Sequence, residues 1–377
     1  EFRERAIYVT DELNSCQQAD GEGYIGAFPG GKEILEDEVA KGNIRAKGFD
    51  LNGIWVPFYT QHKVMSGLNH VYTSFGYRKA LDINIRFADW LSGIVGPLTD
   101  EQVQEMLNCE HGGINESLAE LYHLTGQDNY LELSKIFQHR AIIDPITEDR
   151  DILAGKHANT QIPKFVGLAR RYELAGDERD RLGALNFWGM MVNHHSYVTG
   201  GNGNHEYLGE PDQLNDHLSD NTTESCNVYN MLKLSEHVFS WSKDPAIMDF
   251  YERALFNHIR ASQHPQSGRV IYNLSLDMGG SKVYQDPYSF TCCVGSGMEN
   301  HSKYSRNIYY HNDKELYAVQ FIASRLHWMD KGVHIELVTD FPEDDRMVYR
   351  MEAEQPVDFD FMIRYPHWAH MGLSLIH

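Results

Sequence analysis

The sequence predicts a mainly α-helical protein that changes to β-strands in its last third. Two observations carry this. Apolar residues recur at helical spacing through most of the chain, in segments separated by short turns rich in Gly, Asp and Pro. Beyond Gln266 that spacing gives way to β-rich runs with partial alternation. The helical patterns cover a first segment around Ala6–Leu13, then 59–75, 79–94, 100–107, 115–124, 128–143, 161–174, 177–195, 224–241 and 245–263. Thr125-Gly-Gln-Asp128, Ala175-Gly-Asp177 and Ser242-Lys-Asp-Pro245 read as tight links between antiparallel helices. Helix pairs repeated in this way build either a closed (α/α) barrel or an open α-solenoid, and periodicity alone does not choose between them. Longer loops at 21–57 and 196–223 are expected to gather at one end as the active face. The strand candidates are 269–275, 315–322, 333–338 and 358–364, the start of a β-sandwich. The expected division is a helical domain at 1–265 and a β-rich segment at 266–377 that carries Cys292-Cys293. The sandwich needs more strands to close, and the chain opens inside a helical pattern, so a fragment cut at both ends is expected.

Composition narrows the function. The 377 residues are 42% hydrophobic, ordinary for a globular protein, and no window holds eighteen uncharged apolar residues. A membrane-spanning segment is therefore not expected. A formal net charge of −21 is wrong for neutralising phosphates, which argues against nucleic acid and against an anionic membrane surface. Five cysteines, an odd number with three in two short motifs, do not form a disulfide framework. Cys16 and Cys109 stand alone and read as inert small side chains.

The chemistry concentrates in two places. Asn221-Thr-Thr-Glu-Ser-Cys-Asn-Val-Tyr-Asn-Met231 puts Glu224 and Cys226 two apart at the mouth of a helix, and Cys292 and Cys293 are adjacent in a Gly-rich segment. One carboxylate and three thiols make a four-ligand set suited to zinc. Neighbouring cysteines on a regular strand face opposite ways, so convergence needs irregular backbone, for which Gly295 and Gly297 offer freedom. The alternative is a pair of buried thiols or a vicinal disulfide.

Around these motifs lie further polar groups. The Gly-rich loop Thr199–Glu210 presents Glu206 and Glu210, either of which suits a proton donor to a leaving oxygen. A solvated acidic loop would look the same. His111 and His157 sit where helices open, and His195 precedes the Gly-rich loop; all three suit sugar hydroxyls. Trp55 and Tyr207 are among the aromatics able to stack on a sugar ring, although aromatics at this density also build cores.

Taken together, these motifs resemble the β-L-arabinofuranosidases of glycoside hydrolase families 127 and 146, over nearly the whole chain. The likeness rests on Asp20-Gly-Glu-Gly-Tyr24, Gly30-Gly-Lys-Glu-Ile34, Gly48–Pro57, Glu110-His-Gly-Gly-Ile-Asn-Glu116, the Gly-Gly loop at 200–210, Glu-x-Cys at 224–226 and Cys-Cys at 292–293. The run from Asn221 looks closer to family 146, and Val-Gly-Ser-Gly follows the cysteine pair where family 127 members typically carry Pro-Pro-Asn. The resemblance implies an (α/α)6 barrel followed by β-sandwich domains, and retaining release of terminal β-L-arabinofuranose from plant glycans. It implies zinc held by Glu224, Cys226, Cys292 and Cys293, with Cys292 as nucleophile. The acid/base would be a Glu of the Gly-Gly loop, Glu206 by the family 146 spacing or Glu210 by the family 127 one. It also suggests an exported bacterial protein, secreted or periplasmic. The rival expectations are another (α/α)-barrel enzyme, such as a sugar epimerase or unsaturated glucuronyl hydrolase, and a non-catalytic carbohydrate-binding protein.

Overall fold

The computed structural model describes residues 1–369. The chain divides into two compact units, Glu1–Met190 and Met191–His377. The first is helical: α1 (Phe2–Asp20), α2 (Gly31–Asp37), α3 (Pro57–Phe75), α4 (Arg78–Val95), α5 (Asp100–Met106), α6 (Ile114–Thr125), α7 (Asp128–Ile136), α8 (Arg140–Thr147), α9 (Ala158–Ala175) and most of α10 (Glu178–His194). Three two-residue strands, β1 (Ala46–Lys47), β2 (Asp50–Leu51) and β3 (Ile54–Trp55), make a small antiparallel sheet within the loop before α3.

The links read from sequence are helix stops. Gly126 and Gly176 end α6 and α9 in the left-handed conformation, φ 69° and 73°, and each returns its N–H to the last turn. Pro57 opens α3 at a position where its missing N–H costs nothing. Hairpin partners pack together: α3 on α4, α6 on α7, and α6 also on α9. The core they enclose includes Leu51, Phe58, Met65, Phe87, Leu91, Leu118 and Phe137.

One expected helix is two. The periodic stretch 128–143 breaks at Phe137–His139, between α7 and α8. Phe137 is fully buried and meets Phe58 edge-on at 5.4 Å. The amide of Gln104 ties both sides of the break: it donates to Gln138 O at 3.0 Å and accepts from Arg140 N at 2.9 Å. No Gly or Pro marks the site, because a distant side chain stabilises the freed backbone groups.

α9 is buried along most of its length, and its Lys164 with it. Lys164 Nζ lies 2.9 Å from Glu110 Oε2 and donates to Gln161 Oε1 at 2.8 Å, while Gln161 Nε2 donates to Glu110 Oε1 at 2.9 Å. Such a pair is tolerated in the interior because each charge is both matched and hydrogen-bonded.

Among the described residues, the second unit contains α11 (Ser225–Ser242), α12 (Pro245–Ala254), α13 (Cys292–Asn300) and six strands. Lys243, left-handed at φ 56°, does at the end of α11 what glycine does elsewhere, and Asp244 caps α12. The expected helix 245–263 is α12 followed by a π turn, Leu255–Ile259, and a 3-10 turn, Arg260–Ser262. The strands β4 (Tyr309–His311), β5 (Glu315–Ala318) and β9 (Asp360–Ile363) form one sheet, with β5 and β9 parallel. A second, antiparallel sheet is made by β6 (Ser324–Trp328), β7 (Val333–Thr339) and β8 (Met347–Ala353). Val333, Ile335 and Leu337 of β7 point inward and alternate with His334 and Glu336. The two sheets share a core: Leu316 from one meets Trp328, Val333 and Ile335 from the other. Buried Arg364 bonds to Asp249 and Glu252 of α12 and donates to Val319 O at 2.7 Å.

The run 269–275 is not a strand of either sheet. It makes only isolated bridges, Gln263 with Val270, Ile271 with Tyr284 and Glu224 with Asn273. Its alternation is real, but its partners are single residues from loops and a helix mouth. The stretch after it, 292–300, is helix rather than β structure.

Three buried histidines give the protein an acid sensitivity. Burial, with the charge of Lys164 adding, pushes His111 down to about 3 and His139 down to about 2; burial and Lys282 push His258 down to about 3. Neither ring nitrogen of His139 or His258 has a hydrogen-bond partner among the described residues. In the unfolded chain these rings take a proton near pH 6.5, whereas the folded protein keeps them neutral far below that. Acidification below about 6.5 therefore favours the unfolded chain, by about 1.4 kcal/mol per histidine at pH 5.5. Melting followed by circular dichroism at pH 7.5 and 5.5 is expected to show a lower Tm at 5.5. His139→Gln should narrow the gap, and an unchanged gap in that variant refutes the assignment.

Candidate active site

Two helix N-termini in the second unit bring the four predicted ligands together. Glu224 is the N-cap of α11 and Cys226 lies in its first turn; Thr291 is the N-cap of α13, whose first two residues are Cys292 and Cys293. Adjacent cysteines thus converge because they start a helix, not because glycines distort a strand. Gly295 faces open space, whereas a Cβ on Gly297 would sit 2.8 Å from Val270 Cγ1, so Gly297 lets α13 close on the 270–276 segment. That segment is laced to the mouth of α11. Ser225 N donates to Tyr272 O at 2.9 Å, Ser225 Oγ to Ile271 O at 3.1 Å, and Leu274 O accepts from the hydroxyls of Thr222 and Thr223, each at 2.9 Å. The residues surrounding Glu224 and Cys226 in the sequence motif therefore hold the scaffold for the ligands.

The four ligand atoms lie within 4.8 Å of one another. Cys226 Sγ is 3.3 Å from Cys293 Sγ, and Glu224 Oε1 is 3.5 Å from Cys292 Sγ and 3.7 Å from Cys293 Sγ. Thiolates around a tetrahedral zinc, with Zn–S of ~2.3 Å, stand ~3.8 Å apart, which is the scale of this cluster. All five cysteines are free thiols, so the vicinal disulfide is not formed. Cys109 is buried and inert, its thiol pushed up to about 12 by burial.

Electrostatics agree with a cation site. Burial raises Glu224 well above the carboxylate range, with the charges of Cys292 and Glu206 adding, and burial likewise raises Cys226. Cys292 is lowered, chiefly by hydrogen bonds from Cys226 and then Cys293. Without a cation the cluster accommodates few negative charges; a dication would let all four groups ionise. The dipoles of the two helix N-termini favour the same anions. Ser296 Oγ, 3.1 Å from Cys226 Sγ, adds a hydroxyl beside the buried sulfur. Among the four, Cys292 alone is exposed.

The Gly-Gly loop brings another carboxyl group, that of Glu206, near the cluster. Asn204 and Tyr207 exchange backbone hydrogen bonds at 2.9 and 3.1 Å around His205 and Glu206, both left-handed at φ 48° and 71°. Left-handed conformation at both central positions is that of a type I′ turn, normally filled by Asn and Gly; here it costs ~1–3 kcal/mol per residue. A Cβ on Gly201 would come within 2.6 Å of Thr223 Cβ, so the loop base packs too closely for any other residue. At the turn tip, Glu206 Oε1 accepts a hydrogen bond from the Tyr272 hydroxyl, which also stands 3.7 Å from Cys292 Sγ. Tyr272 was not visible as a functional residue in the sequence; it is one tyrosine of 21, in a run that reads as a strand. Glu210 is exposed, and its backbone carbonyl accepts from Gln213 N at 3.3 Å.

The expected sugar-binding residues divide between the units. In the second, His195 is buried and Tyr207 is 46% exposed. In the first, Trp55 is 69% exposed on β3, His157 is the half-buried N-cap of α9 against Phe49, and His111 is fully buried beside His139 with Nδ1 on Cys109 O.

Comparison with known proteins now places the chain. Residues 1–306 match the family model described as β-L-arabinofuranosidase, GH127 catalytic domain, and residues 315–375 the GH127 middle domain. The chain belongs to glycoside hydrolase family 127. The closer likeness to family 146 rests on the sequence motifs alone. Among solved structures, a GH127 β-L-arabinofuranosidase from Geobacillus stearothermophilus T6 superposes with TM-score 0.67 at 19% identity, over 84% of this chain and 56% of that one. A second GH127 β-arabinofuranosidase gives 0.68 at 21% identity, over 83% of this chain and 50% of its own. A third structure, described as a glycoside hydrolase, gives 0.66 at 17%, over 90% and 62%. The chain thus spans about half to three-fifths of the length of these neighbours. The fold class is the expected one, an (α/α) barrel with a following β domain. A search of the curated proteins found no match.

Metal analysis tests the cluster directly. Protein purified under reducing conditions is expected to carry about one zinc per chain, with Cys226→Ser losing most of it and Ser296→Ala binding about 10-fold more weakly. Metal-free wild-type protein that takes up no added zinc would refute the site.

Proposed function

We propose that this protein is a retaining exo-glycosidase that releases terminal β-L-arabinofuranose from plant glycans, with Cys292 as nucleophile and Glu206 as acid/base. The observation that carries the reading is that one phenol bridges them. The Tyr272 hydroxyl stands 3.7 Å from Cys292 Sγ and one hydrogen-bond length from Glu206, so sulfur and carboxyl oxygen are at most ~6.5 Å apart. Retaining enzymes hold their two catalytic groups close because the nucleophile itself attacks, whereas inverting ones leave room for a water between. Glu210, exposed on the same loop, has no such link to Tyr272 and is the weaker candidate.

The roles follow from exposure and chemistry. Cys292 is the one sulfur of the cluster that a substrate can reach. Its sulfur attacks the anomeric carbon, forming a C–S bond as the C–O bond breaks, and Glu206 gives its proton to the departing oxygen. Glu206, now a carboxylate, takes a proton from water as that water attacks the same carbon and displaces the sulfur. Zinc held by Glu224, Cys226, Cys292 and Cys293 would keep the attacking sulfur in the thiolate form. In the second unit the proposed sugar contacts are Tyr207, exposed enough to stack on a ring, and His195; in the first they are Trp55 and His157, while His111 is fully buried. Export to the periplasm or the medium, where plant glycans are met, belongs to the same proposal.

The test is turnover of p-nitrophenyl β-L-arabinofuranoside. Cys292→Ala should lower kcat/KM on the order of 10⁴-fold or more, and Glu206→Gln should trap a pentosyl adduct on the peptide carrying Cys292, seen by mass spectrometry. Full activity in Cys292→Ala would overturn the mechanism. Sugar binding without turnover by the wild type would point instead to a carbohydrate-binding protein.

A further inference from the structure

We infer that a cleft beside the end of α12, within the second unit, is a further saccharide-binding site that takes a neutral sugar unit. None of its residues belongs to the cysteine cluster or to the Gly-Gly loop. α12 does not stop cleanly at Ala254: it widens into the π turn Leu255–Ile259 and tightens again into Arg260–Ser262. Single π turns inside helices are found mostly at functional positions. Here Phe256 of the π turn and Arg260 just after it both line a cavity of about 450 Å³, a volume typical of small-molecule sites. Phe341 and Glu343, from the loop after β7, line it too, with Tyr304 and Gln263. Phe256 meets Phe341 edge-on at 5.5 Å, and Phe341 is backed by Trp368, stacked on it at 5.5 Å. Phe256, Tyr304 and Phe341 are each only half-buried, so aromatic surface stays open in the cleft. Arg260 lies over the Phe256 ring at 5.8 Å and pairs with Glu343 at 3.6 Å, beyond hydrogen-bond reach, with both side chains exposed. The Tyr304 hydroxyl is held by His301 Nδ1 at 2.6 Å. This lining matches a sugar ring, which offers an apolar C–H face to an aromatic ring and hydroxyls that both donate and accept. A wholly apolar ligand would strand the guanidinium and the carboxylate, and a strongly charged one would meet its own sign in Arg260 or Glu343.

Ligand-observed NMR titration of the whole protein tests the site, with α-linked arabinotriose, xylotriose, galactotriose and cellotriose as separate probes. None of them carries the β-L-arabinofuranosyl end on which the proposed activity acts, so turnover does not interfere. At least one is expected to bind with Kd below about 10 mM. Arg260→Met keeps an apolar stem over Phe256 and removes the guanidinium; Phe256→Ala removes the ring. Each is expected to weaken binding at least about 10-fold. Circular dichroism and Tm report whether the fold is kept. Should Phe256→Ala unfold, Arg260→Met and Gln263→Leu, both at the open side of the cleft, decide the matter. Cys292→Ala is expected to bind the trisaccharide as the wild type does, so the catalytic reading can fail while this one stands. Binding by none of the four probes would overturn the inference. So would binding that survives unchanged in the folded cleft variants, or that disappears in Cys292→Ala, since the sugar would then be held elsewhere.

Discussion

Convergence of two helix N-termini is the constraint on which the rest of the site depends. α11 and α13 both begin at the cluster, and the four candidate ligands occupy their N-cap and first-turn positions. Burying a carboxyl group and two thiols in ionised form is costly unless positive charge matches them. The helix ends supply part of that charge, and the cluster has the spacing at which a dication supplies the remainder. The segment 270–276 holds the convergence in place. It contributes carbonyls to Ser225 and to the two threonines before Glu224, and Val270 packs where Gly297 has no side chain.

The Gly-Gly loop is built on a different principle. Its tip is strained, with two non-glycine residues in left-handed backbone, and its base is packed so tightly that Gly201 has no room for a Cβ. Strain of this kind persists only where surrounding contacts over-determine the conformation. Here they are the paired backbone hydrogen bonds of Asn204 and Tyr207, the bond from His205 N to Asn221 O, and the anchor of Glu206 on Tyr272. The result is an acidic side chain anchored through its carboxyl group, near a sulfur that is exposed.

Exposure distinguishes residues that share a chemistry. Cys226 and Cys293 are buried and Cys292 is not, though all three are thiols in one cluster. His111 lies in the core with its ring neutral, while His157, at the N-cap of α9, is half-buried. Such differences separate groups that hold a site together from groups that can meet a substrate, and they arise entirely from packing.

The sequence by itself determined the residue types and much of the local structure. Gly126 and Gly176 announced helix ends, Pro245 announced a helix start, and the spacing of Glu224 and Cys226 announced a helix mouth, all through interactions within one turn of chain. What only the tertiary structure decided involves residues far apart. The break at Phe137–His139 depends on Gln104, 34 and 36 residues away. Cys292 Sγ meets Glu224 Oε1, and the Tyr272 hydroxyl meets Glu206 Oε1, across 68 and 66 positions of chain. Tyr272 looks like any other strand tyrosine because its hydroxyl acts through space rather than along the chain. Periodicity and capping signals report the free energy of neighbouring residues; the placing of a phenol between a carboxyl and a sulfur is settled by packing, which leaves no short-range pattern to read.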